Sequence, residues 1–94
     1  MFYYVYVLES LNFDKLYIGY TKNLFKRIEE HRKGLSFSTK FRLPFKLIYY
    51  EACLNEQDAK RREHYLKTTQ GRRFLGLRLQ EYKRHNTAAF SSGS

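Results

Sequence analysis

The feature that most constrains this chain is a short strand-like stretch that leads directly into a helix-like segment. Residues Leu16–Tyr20 are mostly aromatic or β-branched, which predicts a strand, and Gly19 leaves room for another group to approach the backbone. After a polar break, Leu24–Lys33 has apolar residues at helical spacing and precedes a glycine, which predicts a helix. Because Arg27 and His31 are four positions apart, they project from one face of that helix. This arrangement brings a tyrosine, an arginine and a histidine toward one place, which we interpret as an active site.

Composition places the chain among small, folded and strongly basic domains. Its 94 residues are enough for one domain with a single modest core. A hydrophobic content of 43%, with 18% aromatic residues, is well above that of a disordered chain. The formal net charge of +9 indicates a polyanionic partner, either nucleic acid or an anionic membrane surface.

Several classes of protein are excluded by what the sequence lacks. No apolar run approaches the roughly 18 residues of a membrane-spanning helix. The apolar stretch Phe2–Leu8 is too short for a signal peptide and no positive charge precedes it. The single cysteine, Cys53, excludes an internal disulfide and a multi-cysteine zinc site. We therefore expect a cytoplasmic protein that does not enter a membrane.

The order of the predicted elements gives the fold class. Strands are predicted at Phe2–Glu9, Leu16–Tyr20 and Phe45–Glu51, and helices over Leu24–Lys33, from Asn55 to near Thr68, and from about Arg72 to Arg84. The first strand is apolar on both faces, which is typical of a central strand, and it forms a hairpin with the second. The prediction is an α+β fold, a small three-stranded antiparallel sheet flanked by helices in the order β-β-α-β-α-α. It occupies residues 1–85, and a disordered polar tail is expected over 86–94.

An ordered set of short motifs spans the predicted elements. Tyr4-Val5-Tyr6 lies on the first strand, Tyr17-Ile18-Gly19 on the second, Arg27 and His31 on the first helix, and Glu63 on the second helix. In its order and separations this set resembles the GIY-YIG nuclease family, in its small stand-alone bacterial form. Two departures stand out. The first tripeptide begins with tyrosine where the family has glycine, and no residue here matches the asparagine that many relatives carry after the glutamate helix.

The resemblance implies a GIY-YIG endonuclease-like fold and a metal-dependent nuclease that hydrolyses phosphodiester bonds. It favours DNA over RNA, low sequence specificity, and a role in repair or recombination. The implied catalytic residues are Tyr6, Tyr17, Arg27, His31 and Glu63. Glu63 is the implied ligand of one Mg²⁺ or Mn²⁺, an ion that prefers oxygen ligands, and the planar guanidinium of Arg27 suits phosphate oxygens.

The two tyrosines are implied to position or deprotonate the attacking water, and which of them is the base stays open. A phenol near its ordinary pKa is a poor base at pH 7, so we expect nearby cations to lower the pKa of one tyrosine. His31 could share proton transfer with a tyrosine or bind phosphate.

The remaining positive charge is expected to bind nucleic acid. The candidate contacts are Lys22, Lys26, Lys40 and Arg42, the last two in a flexible basic loop over 35–42 that could close over a phosphate backbone. For Phe37 and Phe41, packing in the core or at a hinge is favoured over stacking on unpaired bases. A partner protein could supply targeting, and the oligomeric state stays open.

Alternative interpretations remain beside the nuclease hypothesis. Taken singly, a tyrosine is usually a core residue and a charged residue usually lies on a solvated helix surface, so only the combination indicates a site. One alternative is a nucleic-acid-binding module of the same fold without catalysis. Another is a basic adaptor for anionic membranes or an acidic protein, which would need a wider apolar face than Leu24–Lys33 offers.

Overall fold

Three strands of the described chain form one antiparallel sheet with the first strand at its centre. The computed structural model describes residues 1–12, 15–37 and 39–85. Strands β1 (Tyr3–Ser10), β2 (Leu16–Thr21) and β3 (Phe45–Cys53) lie in the order β2-β1-β3, and β1 pairs antiparallel with both neighbours. The predicted α+β class, the hairpin and the central position of the first strand are confirmed.

In the part of the chain that the structure describes, four helices flank this sheet. They are α1 (Leu24–Arg32), α2 (Glu56–Leu66), α3 (Thr69–Arg78) and α4 (Gln80–His85), with a 3₁₀ turn at Lys40–Arg42. Side chains of Asn23, Asn55 and Thr68 cap the first three by accepting backbone N–H groups. Within the described part of the chain, no helix is long and apolar enough to cross a bilayer.

The prediction of one helix from Arg72 to Arg84 is wrong, because this segment forms two helices and the first begins at Thr69. Thr68 fixes the start of α3 by accepting the Gly71 N–H at 3.1 Å. Leu79 leaves helical geometry and packs against the core, and it separates α3 from α4. The hydroxyl of Tyr82 in α4 then donates a hydrogen bond to Glu9 of β1. The expected disordered tail over 86–94 lies outside the described residues.

The two faces of the sheet have different roles. One face packs on α2 and α3 and forms the hydrophobic core of Val5, Val7, Ile18, Ala59, Leu66 and Leu75. Since side chains alternate along a strand, Tyr6 of β1 projects to the opposite face, where it meets His31 of α1. This second face holds the candidate site.

Two glycines of α3 provide a matched test of the packing between α2 and α3. A Cβ atom at Gly71 would lie 2.5 Å from Cα of Leu66, whereas a Cβ at Gly76 would meet nothing within 4 Å. Because a backbone cannot yield as a flexible side chain can, we expect Gly71→Ala to lower the free energy of unfolding by at least about 2 kcal/mol. Gly76→Ala should raise it by about 1 kcal/mol through helix propensity. Urea titrations measure both, and equal midpoints for the two variants would contradict this packing.

Candidate active site

The site begins with a tyrosine that lies over a glycine. Tyr6 of β1 is the register partner of Gly19 in β2, and its side chain is 1% exposed. A Cβ at position 19 would lie 2.5 Å from Cζ of Tyr6 and 3.0 Å from Cε1 of Tyr17. The ring centroids of the two tyrosines are 6.3 Å apart. The absence of a side chain at Gly19 therefore makes the space that the Tyr6 phenol occupies.

His31 contacts both tyrosines from α1. Its ring centroid is 5.6 Å from that of Tyr6 and 5.2 Å from that of Tyr17. Nε2 is 2.9 Å from the Tyr6 hydroxyl and Nδ1 is 2.6 Å from Oγ1 of Thr39. Burial lowers the pKa of His31 to about 4, and the charge of Arg27 acts in the same direction. At neutral pH the imidazole is therefore uncharged, with one nitrogen as a donor and the other as an acceptor.

The guanidinium of Arg27 is held in place by hydrogen bonds to three side chains. Its Nη1 donates to Oε1 of Glu30 at 2.9 Å, and its Nη2 donates to Oγ of Ser36 at 3.2 Å. It also hydrogen-bonds to the phenol of Tyr6. Although burial lowers the pKa of Arg27, the hydrogen bonds to Glu30 and Tyr6 raise it above its usual value overall. The guanidinium is therefore a fixed, permanent positive charge beside the phenol.

The phenol of Tyr6 is protonated in this environment. Burial raises the pKa of Tyr6 to about 12; the hydrogen bond from Arg27 opposes this shift, while Tyr17 and Glu63 add to it. The expectation that nearby cations lower a tyrosine pKa is wrong for Tyr6, because the loss of hydration outweighs the effect of the guanidinium. Tyr6 can still give its proton to His31 and keep its oxygen lone pairs for other donors.

Glu63 of α2 is the carboxylate that the resemblance assigns to the metal. Its side chain is 20% exposed, Lys67 donates to its Oε2 at 2.9 Å, and its charge raises the pKa of Tyr6. Across residues 1–12, 15–37 and 39–85, no group of three or more His, Cys, Asp or Glu side chains is placed to hold a metal ion. A single carboxylate fits Mg²⁺ or Mn²⁺, hard ions that retain several water ligands, better than a metal that needs a full protein cage.

An open groove lies beside Arg27. Its volume is about 440 Å³ and it is lined by Tyr20, Thr21, Lys22, Asn23, Lys26, Arg27 and Glu30. Two of the predicted nucleic-acid contacts, Lys22 and Lys26, are thus brought next to the guanidinium. The groove offers several positive charges to a chain of phosphates.

The other two predicted nucleic-acid contacts, Lys40 and Arg42, are not part of the groove as the structure describes it. The ammonium group of Lys40 stands over the rings of Phe37 and Phe41 and does not line the groove. Arg42 ends the 3₁₀ turn, and its side chain is outside the described part of the structure. Lys40 and Arg42 therefore stay predictions as phosphate contacts.

The loop after α1 holds site residues that the sequence did not reveal. In this loop, which the sequence predicts to be basic and flexible over 35–42, Ser36 and Thr39 are buried, with exposures of 5% and 1%. Ser36 accepts a hydrogen bond from Arg27, and Thr39 is bonded to His31. Glu30, the carboxylate partner of Arg27, was also missed. Hydroxyl residues in a loop have no periodicity, so only their frequency between Leu35 and Lys40 could have drawn attention to them.

Comparison with known proteins decides the family. The model of the GIY-YIG catalytic domain matches residues 2–75 of this chain. The chain belongs to the GIY-YIG family. This is a family of nucleases, whose substrate is nucleic acid and whose members generally use divalent metal ions.

The similar proteins are small members of the GIY-YIG family. A UPF0213 protein of Clostridium perfringens is 43% identical over 65 residues, which cover 68% of this chain and 69% of that protein. A UPF0213 protein of Oceanobacillus iheyensis is 36% identical over 81 residues, covering 85% and 91%. The solution NMR structure of a UPF0213 protein from Bacillus halodurans is 29% identical, with a TM-score of 0.45, and the match covers 99% of this chain and 93% of that one.

Burial of His31 predicts how stability depends on pH. The ordinary pKa of histidine is 6.5 and the folded value is about 4. Between these values the unfolded chain binds a proton that the folded chain does not, so stability falls as the pH is lowered. From pH 7 to pH 5 we expect the free energy of unfolding to decrease by about 2 kcal/mol through this group.

Urea titrations at several pH values measure this effect. The decrease should be much smaller in His31→Gln, whereas His64→Gln, which replaces an exposed histidine of α2, should keep it. The same pH profile in wild type and His31→Gln would contradict the burial of an uncharged imidazole.

Proposed function

We propose that this protein is a metal-dependent endonuclease that hydrolyses phosphodiester bonds, of DNA in preference to RNA, with one Mg²⁺ or Mn²⁺ ion. We further propose low sequence specificity and a cytoplasmic role in repair or recombination, with targeting by a partner protein. The observation that supports this most is the convergence of Tyr17, Arg27 and His31 on the buried phenol of Tyr6, beside a groove lined by lysines. A packing cluster would need neither the partly exposed guanidinium nor the groove.

Arg27 is proposed to bind the non-bridging oxygens of the scissile phosphate. Its guanidinium is already oriented by Glu30 and Ser36, so little reorganisation is needed when negative charge develops in the transition state. Glu63 would hold the divalent ion, which when bound neutralises charge on the phosphate and lowers the pKa of coordinated water.

Tyr6 and His31 are proposed to receive the proton of the attacking water. As the water gives a proton to the Tyr6 oxygen, the phenol gives its own proton to Nε2 of His31, 2.9 Å away. This relay needs no phenolate, and is therefore compatible with the raised pKa of Tyr6. A phosphate bound at Arg27 would offset the charge that lowers the pKa of His31, which favours the imidazolium. Thr39 would hold the ring in orientation through Nδ1.

A cleavage assay on duplex, single-stranded and branched DNA and RNA, with Mg²⁺ or Mn²⁺, tests the proposal. The wild type should cut at least one substrate class only when metal is present, and Arg27→Ala should abolish cutting. Arg61→Ala is the matched control, because Arg61 is an exposed arginine of α2 whose partner is Asp58. Binding without cutting in either metal would replace the nuclease hypothesis by that of an inert nucleic-acid-binding module.

The proposed phosphate contacts of Lys22 and Lys26 predict a change in salt dependence. If about five phosphates are contacted, a plot of the logarithm of the affinity for duplex DNA against the logarithm of the salt concentration should have a slope of roughly −4.5. Replacing both lysines by glutamine should make the slope shallower by roughly 1.8. The control is Lys83→Gln with Arg84→Gln, which removes two charges from α4. Equal changes in the two double variants, measured by fluorescence anisotropy, would contradict binding in the groove.

A further inference from the structure

Two phenylalanines and a lysine form an exposed cluster on the loop after α1. The side chains of Phe37 and Phe41 are 77% and 75% exposed, and their ring centroids are 6.3 Å apart with the planes at 86°. Nζ of Lys40 stands 4.8 Å from the centroid of Phe37 and 5.0 Å from that of Phe41. We call Phe37, Lys40 and Phe41 the aromatic cluster. Of the expectation that these phenylalanines pack in the core or at a hinge, the part that concerns the core is wrong, because both side chains are exposed.

The aromatic cluster is fixed to the candidate active site by its neighbours in the chain. Ser36 points inward and accepts from Arg27, and Thr39 points inward and bonds to His31. The backbone N–H groups of Thr39 and Lys40 both donate to the carbonyl of Ser36, which closes the turn. The loop therefore has an inner side of hydroxyl groups that hold the site and an outer side of aromatic rings. Anything bound by the rings lies on the same loop that positions Arg27 and His31.

The chemistry of the cluster selects a ligand that offers both flat apolar faces and negative charge. The two phenylalanine rings are exposed to water, and a ligand that covers them would remove apolar surface from water, which is energetically favourable. An ammonium group between the rings adds a site for an anion such as a phosphate. Unpaired nucleotides have both features, because their base faces are free to stack, whereas the bases of an intact duplex are already stacked on each other.

We propose that the aromatic cluster binds unpaired bases of the nucleic-acid substrate, with Phe37 and Phe41 as stacking platforms and Lys40 as a phosphate contact. This inference rests on the proposed nuclease function and deepens it, because it names the substrate class. The enzyme acts on nucleic acid that carries a single-stranded segment next to the scissile phosphate.

A binding comparison in EDTA tests the inference without any cleavage. Affinity for single-stranded oligothymidine and for a duplex of equal length is measured by fluorescence anisotropy. In the variant Phe37→Leu with Phe41→Leu, which stays apolar but loses the flat rings, binding of the single strand should weaken by at least roughly tenfold. Duplex binding should change less than twofold. Phe37→Tyr with Phe41→Tyr, which keeps both rings, should bind the single strand as the wild type does.

A matched control and a spectroscopic signal make the test specific to the rings. Phe25→Leu replaces another phenylalanine, 88% exposed on α1, and should leave single-strand binding unchanged. The chain contains no tryptophan, so Phe37→Trp introduces a single tryptophan at the cluster, and its emission can be excited separately from that of the tyrosines. Its emission should be quenched by oligothymidine and not by the duplex.

Several results would overturn the inference. These are equal weakening of single-strand and duplex binding, no weakening of either, or a loss in Phe25→Leu as large as in the double leucine variant. Self-association of the wild type that the double leucine variant abolishes would instead assign the cluster to contacts between copies of this chain. If the wild type binds through the cluster but cuts nothing in Mg²⁺ or Mn²⁺, the proposed nuclease function fails while the binding inference stands.

Discussion

Replacing Glu63 with glutamine is expected to lower the rate of metal-dependent cleavage by at least roughly 10³-fold. The reason is that about 4 kcal/mol of transition-state stabilisation depends on the negative charge of the glutamate. Glutamine has nearly the same size and the same helix propensity, so the substitution removes one negative charge and little else. The side chain of Glu63 is 20% exposed, and its partner in the structure is the exposed Lys67, which caps the C-terminal end of α2. The fold does not depend on this ion pair, since pairs of that kind contribute little to stability.

The control for Glu63→Gln is Asp58→Asn on the same helix. Like Glu63, Asp58 is paired with a basic residue, in this case Arg61 of α2, and it lies in the first turn of the helix. Asp58→Asn should retain wild-type cleavage, and both variants should melt near the wild-type temperature in circular dichroism. Initial rates over a range of Mn²⁺ and Mg²⁺ concentrations separate weak metal binding from a slow reaction. Glu63→Gln with wild-type activity at every metal concentration would remove Glu63 from the site.

Much of the site could be predicted because its residues belong to regular elements. The strand pattern around Gly19 places Tyr17 on one face of a strand, and the helical spacing of Arg27 and His31 places both on one face of a helix. The pairing of β1 with β2 then follows from the short connection between them. What the spacing could not give is the register, which sets Tyr6 opposite Gly19 and so explains why a glycine occurs there.

The parts that could not be predicted depend on contacts between residues far apart in sequence. The hydrogen bond of Thr39 to His31 exists only because the loop folds back on α1. The division between α3 and α4 occurs at Leu79, which packs against a core formed largely by residues far from it in sequence. Tyr4, which stands where the family has glycine, is accommodated because its ring packs edge-on against Tyr50 of β3 at a centroid distance of 6.0 Å. Local propensity carries no information about such pairs.

Gly19→Ala is expected to reduce cleavage by roughly 10²-fold, since small displacements of reacting groups have effects of that size. The added methyl group would overlap the hydroxyl of Tyr6 and lie 2.5 Å from its Cζ. The ring has little freedom to move aside, because Tyr6 is 1% exposed and the rings of Tyr17 and His31 lie against it. We therefore expect the hydrogen bond between Tyr6 and His31 to break and the free energy of unfolding to fall by about 1 to 3 kcal/mol.

A double-mutant cycle with Tyr6→Phe identifies the phenol as the group that Gly19 accommodates. Tyr6→Phe removes the hydroxyl that the methyl group would overlap, so the stability lost through Gly19→Ala should be smaller in the phenylalanine background than in the wild type. Cleavage by the double variant should be no slower than by Tyr6→Phe alone, because the relay through the phenol is already absent. Gly76→Ala, on the far side of the core, controls for the extra methyl group and should retain full activity. Equal losses of stability in both backgrounds would show that the alanine disturbs the strand pairing. Gly19 would then be required for the pairing of β1 with β2 and not for the position of the Tyr6 phenol.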